Sequence, residues 1–594
     1  MPEEFDAVVI GSGFGGSVMT YRLAEAGLRV CLLERGKAYP PNSFPRAPYD
    51  LGKNFWDPSS GLYGMYNIWS FKGSGALVSS GLGGGSLIYA NILIRKDEKW
   101  FKEDLPDGSY KPWAVQYHQL EKHYEAVERM MNVQQYPLNH PPYDTTLKTL
   151  AMREAAQKIN GSDMQCKWLP LNLAVSFRIN RVESPGEDNP NNPPIVGAPI
   201  NEPFPNIHTV RAGYETPRST CRLCGECDMG CNFGSKNTLD FNYISAAIHQ
   251  NPPADVRTLC EVKKIEPNDK TGKGYRITYN VHRLDCTSKE KTVEKQIICK
   301  YLILSAGTFG SPYLLFKNKS NFPGISSTLG LRYSVNGDLL SFILKSMEVK
   351  NGKSVPRRLD PSFGPVITSA IRFGDDLDEQ GKRGRGFYIE DGGHPYLLSW
   401  LSEISGLPGF LSRSIHFLKI ILKYRLGLNN DADLSAEISD IIGDAESSMS
   451  SFPVLAMGRD IPNAKLFLKD GKYLDCDWTI KKSQAYYERV RCAGKSIAKA
   501  LNAEFLDNPA YAWNFHQVLT AHPLGGCAMA QNKTEGVINP CGEIFGYPGF
   551  YIADGSVMPG PVGPNPSLTI AALSERFAEH IIADYKGEKH ECSR

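Results

Sequence analysis

Phe5-Asp-Ala-Val-Val-Ile-Gly11-Ser-Gly13-Phe14-Gly15-Gly16 decides the fold of this chain. Phe5 to Ile10 reads as a short buried strand, and the G-x-G-x-x-G that follows turns the chain into a helix. Gly11 permits the tight turn, Gly13 lets backbone approach a pyrophosphate, and Gly16 lets helix pack against strand; Phe14 and Gly15 complete the same cofactor-facing turn. The spacing predicts a helix from about Gly15 to Ala26, with Met19, Leu23 and Ala26 on one face and Gly27 suited to a left-handed stop. Its N-terminus then points amides and the positive end of its dipole at the phosphates. A second strand, Arg29 to Leu33, delivers Glu34, the acid expected roughly 20 residues on to hold a ribose hydroxyl pair. A carboxylate there repels a 2′-phosphate, which disfavours NADP. An ordinary glycine-rich turn would leave Glu34 unexplained. The motif alone does not choose FAD over NAD.

Working outward, Ser80-Gly81-Leu-Gly-Gly84-Gly85-Ser86-Leu-Ile-Tyr-Ala-Asn91 removes side chains where a large flat group needs backbone contact. Asn91 offers an amide to a polar ring edge. A flexible loop is the alternative. No His or Cys lies between Ser86 and Arg95, so a covalent flavin link from this loop is not expected. Tyr301-Leu-Ile-Leu-Ser-Ala306-Gly307 reads as a buried strand ending in small residues, followed by a helix with Ser311 as N-cap and Pro312 at its first position. Phe550-Tyr-Ile-Ala-Asp554-Gly555 is strand, acid and turn, placed to close on a ribityl or phosphate group.

These blocks, with His522-Pro-Leu-Gly-Gly-Cys527 and Asn565-Pro-Ser-Leu-Thr569, resemble the glucose-methanol-choline (GMC) flavin oxidoreductases over nearly the whole length. Within that family the chain is most similar to the bacterial cholesterol oxidases, judged by Gly11 to Ser17, by Gly83-Gly-Gly-Ser86 and by the cysteine block at 224 to 231. The resemblance implies FAD, held through Gly11, Gly13, Phe14, Gly15, Gly16, Glu34, Gly81, Gly84, Gly85, Ser86, Asn91, Val262, Ala306, Gly307, Asp554 and Gly555. It puts His522 and Asn565 where the family has its catalytic pair. Oxidising an alcohol removes a hydride from carbon and a proton from oxygen. Histidine suits the proton task near neutral pH, and an asparagine amide orients a hydroxyl without competing for its proton. A loop histidine held by backbone, and a turn asparagine before proline, are the structural alternatives. Glu390, in Phe387-Tyr-Ile-Glu-Asp391, resembles the acidic segment that cholesterol oxidases place over the substrate. A buried carboxyl of raised pKa can move a proton within a steroid; an exposed loop glutamate is the alternative.

Cys221, Cys224, Cys227 and Cys231 follow C-x2-C-x2-C-x3-C, the spacing of a bacterial iron–sulfur loop. A cluster there would give electrons an exit from the flavin. Asn232 replaces the usual proline and no second cysteine set appears, so a cysteine-rich structural loop stays open beside it. The first strand has no hydrophobic leader before it, and neither a secretory signal nor a disulfide framework is expected.

The 594 residues are enough for two to four domain-sized units, and the net charge of +2 makes no electrostatic case for nucleic acid. No run of about 18 apolar residues appears, so no membrane span is expected. Seven prolines between Ser184 and Asn206 mark a loop, and alternating patches between 340 and 400 predict a sheet over the substrate pocket. The expected fold is α/β: a discontinuous Rossmann-like FAD-binding domain (1–140, 207–330, 515–594) with an inserted α+β substrate domain on an antiparallel sheet (141–206, 331–514). From Gly409 to Leu426 the pattern is a basic amphipathic helix, with Ser412, His416, Lys419 and Lys423 on one stripe. It either packs on the core or lies on an anionic membrane surface. The expected location is the cytoplasm, with the inner membrane face open through that helix. The reading is oxidation of a bulky apolar alcohol, a 3β-hydroxysteroid first, with oxygen or another acceptor taking the electrons. Alternatives are a dehydrogenase passing electrons through the cysteine cluster, a long-chain alcohol as substrate, a non-redox lyase on the same scaffold, and a sensor keeping FAD for structure.

Overall fold

The strand Glu3–Ile10 lies at the centre of the first sheet of the computed structural model, which describes residues 2–105, 108–160, 164–201, 218–268, 274–284, 291–378, 384–395, 419, 446–508 and 517–588. Ala7 to Ile10 are buried, the continuous apolar run that a parallel strand covered on both faces requires. It pairs in parallel with Val30–Leu33 and with Thr292–Leu304, and Asp255–Arg257 adds in parallel beyond Val30–Leu33. Thr292–Leu304 is thirteen residues long and is shared. Its first half pairs antiparallel with Tyr275–His282, which pairs on to Cys260–Pro267, and Leu302 to Leu304 pair in parallel with Phe550–Ile552. The helix Phe14–Glu25 starts one residue before the predicted position, and Gly27 follows it at φ +91°. It packs on the C-terminal helix Ser567–Lys586.

One expectation fails here. The helix Gly307–Lys317 begins at Ala306 rather than at Ser311, and Pro312 sits inside it. The cap comes from far along the chain, because the Gly307 amide donates to Asp554 Oδ2 at 2.9 Å. The Ser311 hydroxyl donates to Asp554 and accepts from the Ala306 amide at 3.1 Å.

The second sheet is antiparallel, in the order Cys166–Pro170, Ser369–Phe373, Phe387–Asp391, Phe452–Gly458, Leu339–Leu344, Glu504–Leu506. Helices Leu147–Ile159 and Gln484–Ala500 cover one side, against Phe387, Ile389, Ile371 and Ile343. Side chains alternate along a strand, so Tyr388 and Glu390 fall on the opposite side. Asp391 returns to the helix side and meets Lys148 Nζ at 3.3 Å, both fully buried. The strand set expected between 340 and 400 is therefore present. Between Ser184 and Asn201 there is no helix or strand. The chain is α/β, with a Rossmann-like sheet and an inserted α+β unit. A third sheet, Val518–Thr520 beside Ser74–Ser79 and Tyr66–Ser70, leads directly into His522. Cys541 is disulfide-bonded, while eleven described cysteines are free. Apart from Lys419, helical and exposed, the 409–426 segment lies outside the described residues; among these no helix is long and apolar enough to cross a membrane.

Candidate active site

The glycines of the first turn divide by what surrounds them. A Cβ at Gly11 would stand 2.3 Å from Ser305 O, at Gly15 1.7 Å from Ala553 O, and at Gly16 1.9 Å from Gly11 O. Those three let helix and strands touch. At Gly13 a Cβ meets nothing within 4 Å, and no side chain caps the helix that starts there. Free amides facing open space at a helix start suit a diphosphate. Gly85 and Gly307 also face open space, whereas Gly84 packs on Gly13, where a Cβ would come within 2.5 Å of its Cα. Gly81 abuts Leu87 and Gly555 abuts Thr308 in the same way.

Glu34 is buried and well bound. Its carboxylate accepts from Ser12 N at 3.0 Å, Ser12 Oγ at 2.6 Å and Gly36 N at 2.8 Å. The Ser12 hydroxyl also accepts from Gly83 N at 3.0 Å, which ties the two glycine loops together. Ser86 Oγ turns back to donate to Gly83 O at 2.7 Å. Val262 is buried on Cys260–Pro267, beside a break in strand register. Asn91 sits at φ +71°, fully buried, and neither amide atom has a partner. Asp554 accepts from Gly307, Ser311 and Ser556, joining the ends of two parallel strands. Burial pushes its carboxyl up, opposed by those hydrogen bonds. Open space at Gly13, Gly85 and Gly307 with an unpartnered buried amide at Asn91 fits a dinucleotide such as FAD.

His522 follows the strand Val518–Thr520, and its Nδ1 lies 2.9 Å and 3.0 Å from the two oxygens of Asp338. Asp338 is fully buried and also accepts from Thr520 Oγ1 at 2.8 Å and Ala521 N at 3.0 Å. Two residues earlier, Asn336 accepts from Gly563 N at 2.9 Å and donates to Gly563 O and Pro564 O, each at 3.2 Å. One short segment thus holds both the His522 loop and the loop that ends in Asn565. Asn565 is buried and its Oδ1 has no hydrogen-bond partner. Glu390 is fully buried, which removes the exposed-loop alternative. Burial pushes its carboxyl well above the usual range; Asn565 pulls it down, and the Asp391 and Asp338 charges push it up. Asn565 is near enough to favour the charged form, yet neither Glu390 oxygen completes a hydrogen bond of regular geometry. Asp338 and Asn336 were missed by sequence reasoning: Ser334-Val-Asn-Gly-Asp338 reads as a polar turn, and nothing in it names its contacts.

The four cysteines at 221 to 231 are free and line one cavity with Asn91 and Lys236. Burial raises the thiols of Cys221 and Cys227 and takes Cys224 to about 12. Among the described residues no three His, Cys, Asp or Glu side chains are arranged to hold a metal ion. The iron–sulfur expectation therefore finds no ligand set; the spacing brings the thiols to one wall without converging them.

Two family models described as GMC oxidoreductase match residues 210–327 and 473–574, and an NAD(P)-binding Rossmann-like domain model matches 9–62. Residues 210–327 and 473–574 thus match the N- and C-terminal domains of GMC oxidoreductases, and the chain is an FAD-dependent oxidoreductase acting on alcohols. It is 29% identical over 586 residues to a cholesterol oxidase of Mycobacterium tuberculosis (strain ATCC 25618 / H37Rv), covering 97% of this chain and 91% of that one. It is 26% identical over 593 residues to a cholesterol oxidase of Acinetobacter baumannii, covering 99% and 96%. Among solved structures, pyridoxine 4-oxidase from Mesorbium loti shares the fold, with TM-score 0.57 and 14% identity over 98% of this chain and all of that one.

Proposed function

We propose that this enzyme oxidises a bulky apolar secondary alcohol to the ketone, with a 3β-hydroxysteroid as the leading substrate. The observation that carries the reading is the pairing of His522 with a buried carboxylate, on a loop tied through the same segment to that of Asn565. FAD, when bound, supplies the two-electron acceptor. His522 takes the hydroxyl proton, Asn565 orients the hydroxyl oxygen through its amide, and the antiparallel sheet above them excludes water. Glu390, whose carboxyl burial pushes well above the usual range, is suited to relay a proton within the steroid. The likeness to cholesterol oxidases over nearly the whole chain supports the sterol class. Electrons pass to oxygen or another acceptor, and peroxide formation distinguishes the two. We further propose the two-unit division expected from sequence, and contact of 409–426 with a lipid surface, which rests on sequence alone and is tested by liposome co-sedimentation.

The test is flavin bleaching under anaerobic conditions by cholesterol, dodecanol and glucose in parallel. Fastest bleaching by cholesterol supports the reading; glucose alone bleaching the flavin removes it. His522→Ala is expected to retain FAD and lose about 10²–10⁴ in the rate of flavin reduction, the range a general base supplies. An unaltered rate rejects the assignment.

A further inference from the structure

We infer that Asp338 is a positioning residue that fixes the tautomer of His522: it keeps Nδ1 protonated and leaves the Nε2 lone pair as the atom that receives the hydroxyl proton. This rests on the reading of His522 as the base.

A carboxylate only accepts hydrogen bonds, so an imidazole nitrogen within 3.0 Å of both Asp338 oxygens must carry its hydrogen there. The Ala521 amide, whose hydrogen cannot move, donates to Oδ2 and marks that oxygen as an acceptor. The imidazole is also held from its own backbone, since His522 N donates to Thr520 Oγ1 at 2.8 Å and Thr520 Oγ1 lies 2.8 Å from Asp338 Oδ2. Ring and carboxylate therefore share one rigid frame.

The charge around this pair points the same way. Glu390 from the antiparallel sheet, Asp460 from the loop after Phe452–Gly458, Tyr333 from the segment before Asp338, and Tyr486 and Tyr487 from the helix Gln484–Ala500 all feel the Asp338 charge. Every one is an acid or a phenol. Among the described residues Asp338 makes no ion pair with any group but His522. A buried carboxylate without a cation is costly, and a proton arriving on the imidazole supplies one. In the reaction the substrate O–H bond breaks and an Nε2–H bond forms, while the Nδ1–H bond is unchanged. The new imidazolium charge is met by Asp338, and FAD, when bound, would accept the C–H electron pair as hydride.

The first experiment uses wild-type holoenzyme carrying ¹⁵N-labelled histidine. The signals of His522, one of 12 histidines, are identified by their loss in His522→Gln. At the pH where flavin reduction has reached its upper plateau, the Nδ1 resonance is expected in the protonated range and Nε2 in the lone-pair range; the reverse pattern overturns the proposal. The second experiment measures flavin reduction by the alcohol that bleaches fastest, as a function of pH, in Asp338→Asn and Asp338→Glu. A neighbouring carboxylate favours imidazolium, so its loss is expected to move the rising limb of the rate to lower pH. In Asp338→Asn that shift is expected together with a fall of about 10²-fold at unchanged FAD content, with partial recovery in Asp338→Glu. A fall with no shift and no recovery overturns the positioning role. Should Asp338→Asn not fold, the resonance pattern decides. A His522→Gln enzyme that reduces flavin at the wild-type rate defeats the base assignment instead, whatever the tautomer.

Discussion

Asp460 shows how a single buried carboxyl gives the protein a pH-dependent weakness. It is fully buried, and burial lifts it to about 7 against the hydrogen bonds from Ser334 Oγ and Val335 N. Unfolded, the same group ionises near pH 4, the ordinary value for aspartate being about 3.9. Between those two values the folded chain holds the extra proton, so stability is fully present below pH about 4 and is lost as pH rises towards 7. The slope from one such group is at most about 1.4 kcal/mol per pH unit. Asp460→Asn is expected to flatten the dependence of the melting midpoint on pH across that window; parallel curves for variant and wild type would contradict it. Glu390 acts in the same direction, since burial raises it as well.

At the scale of elements, the first turn makes a sharper prediction because its glycines serve different ends. Gly15→Ala drives a Cβ into Ala553 O, and an overpacked contact of that kind costs about 1–3 kcal/mol. Gly13→Ala has room and an ordinary φ of −68°, so the apoprotein should melt within about 1 kcal/mol of wild type. Its methyl group instead occupies the open space before the helix, and FAD affinity should fall by about tenfold or more. Thermal melts of apoprotein and FAD titration separate the two variants; equal FAD affinity in Gly13→Ala would remove Gly13 from the binding surface. This turn was legible in the sequence because strand, glycines, helix and Glu34 are local, and local spacing sets their geometry. The start of the helix Gly307–Lys317 was not, because the acid that holds its first amide is Asp554, 247 residues away in sequence. Asp338 was unreadable for a similar reason: 184 residues separate it from the imidazole it holds. His522 and Asn565 were found through family blocks, and Glu390 through a looser one whose burial only folding establishes.

Across the whole molecule, the same segment, Asn336 to Asp338, grips two loops far along the chain, that of His522 and that of Gly563 to Asn565. The side chains of Asn336 and Asp338 and the backbone bridge between Ser334 and Leu524 thereby register that segment to both loops. The cysteine wall lies outside this linkage. Iron and sulfide analysis of anaerobically purified protein is expected to find iron far below one atom per chain, since the thiols do not converge; stoichiometric iron would contradict that geometry.

The sharing of Thr292–Leu304 has a last consequence. Because neighbours occupy both flanks of its upper half, the apolar run Tyr301 to Leu304 offers no template on which another chain can polymerise, and that hazard passes to the outer strands, Cys260–Pro267 among them. There Lys263 and Lys264 are exposed and Pro267 ends the run, the residue types that discourage rim-to-rim pairing between molecules.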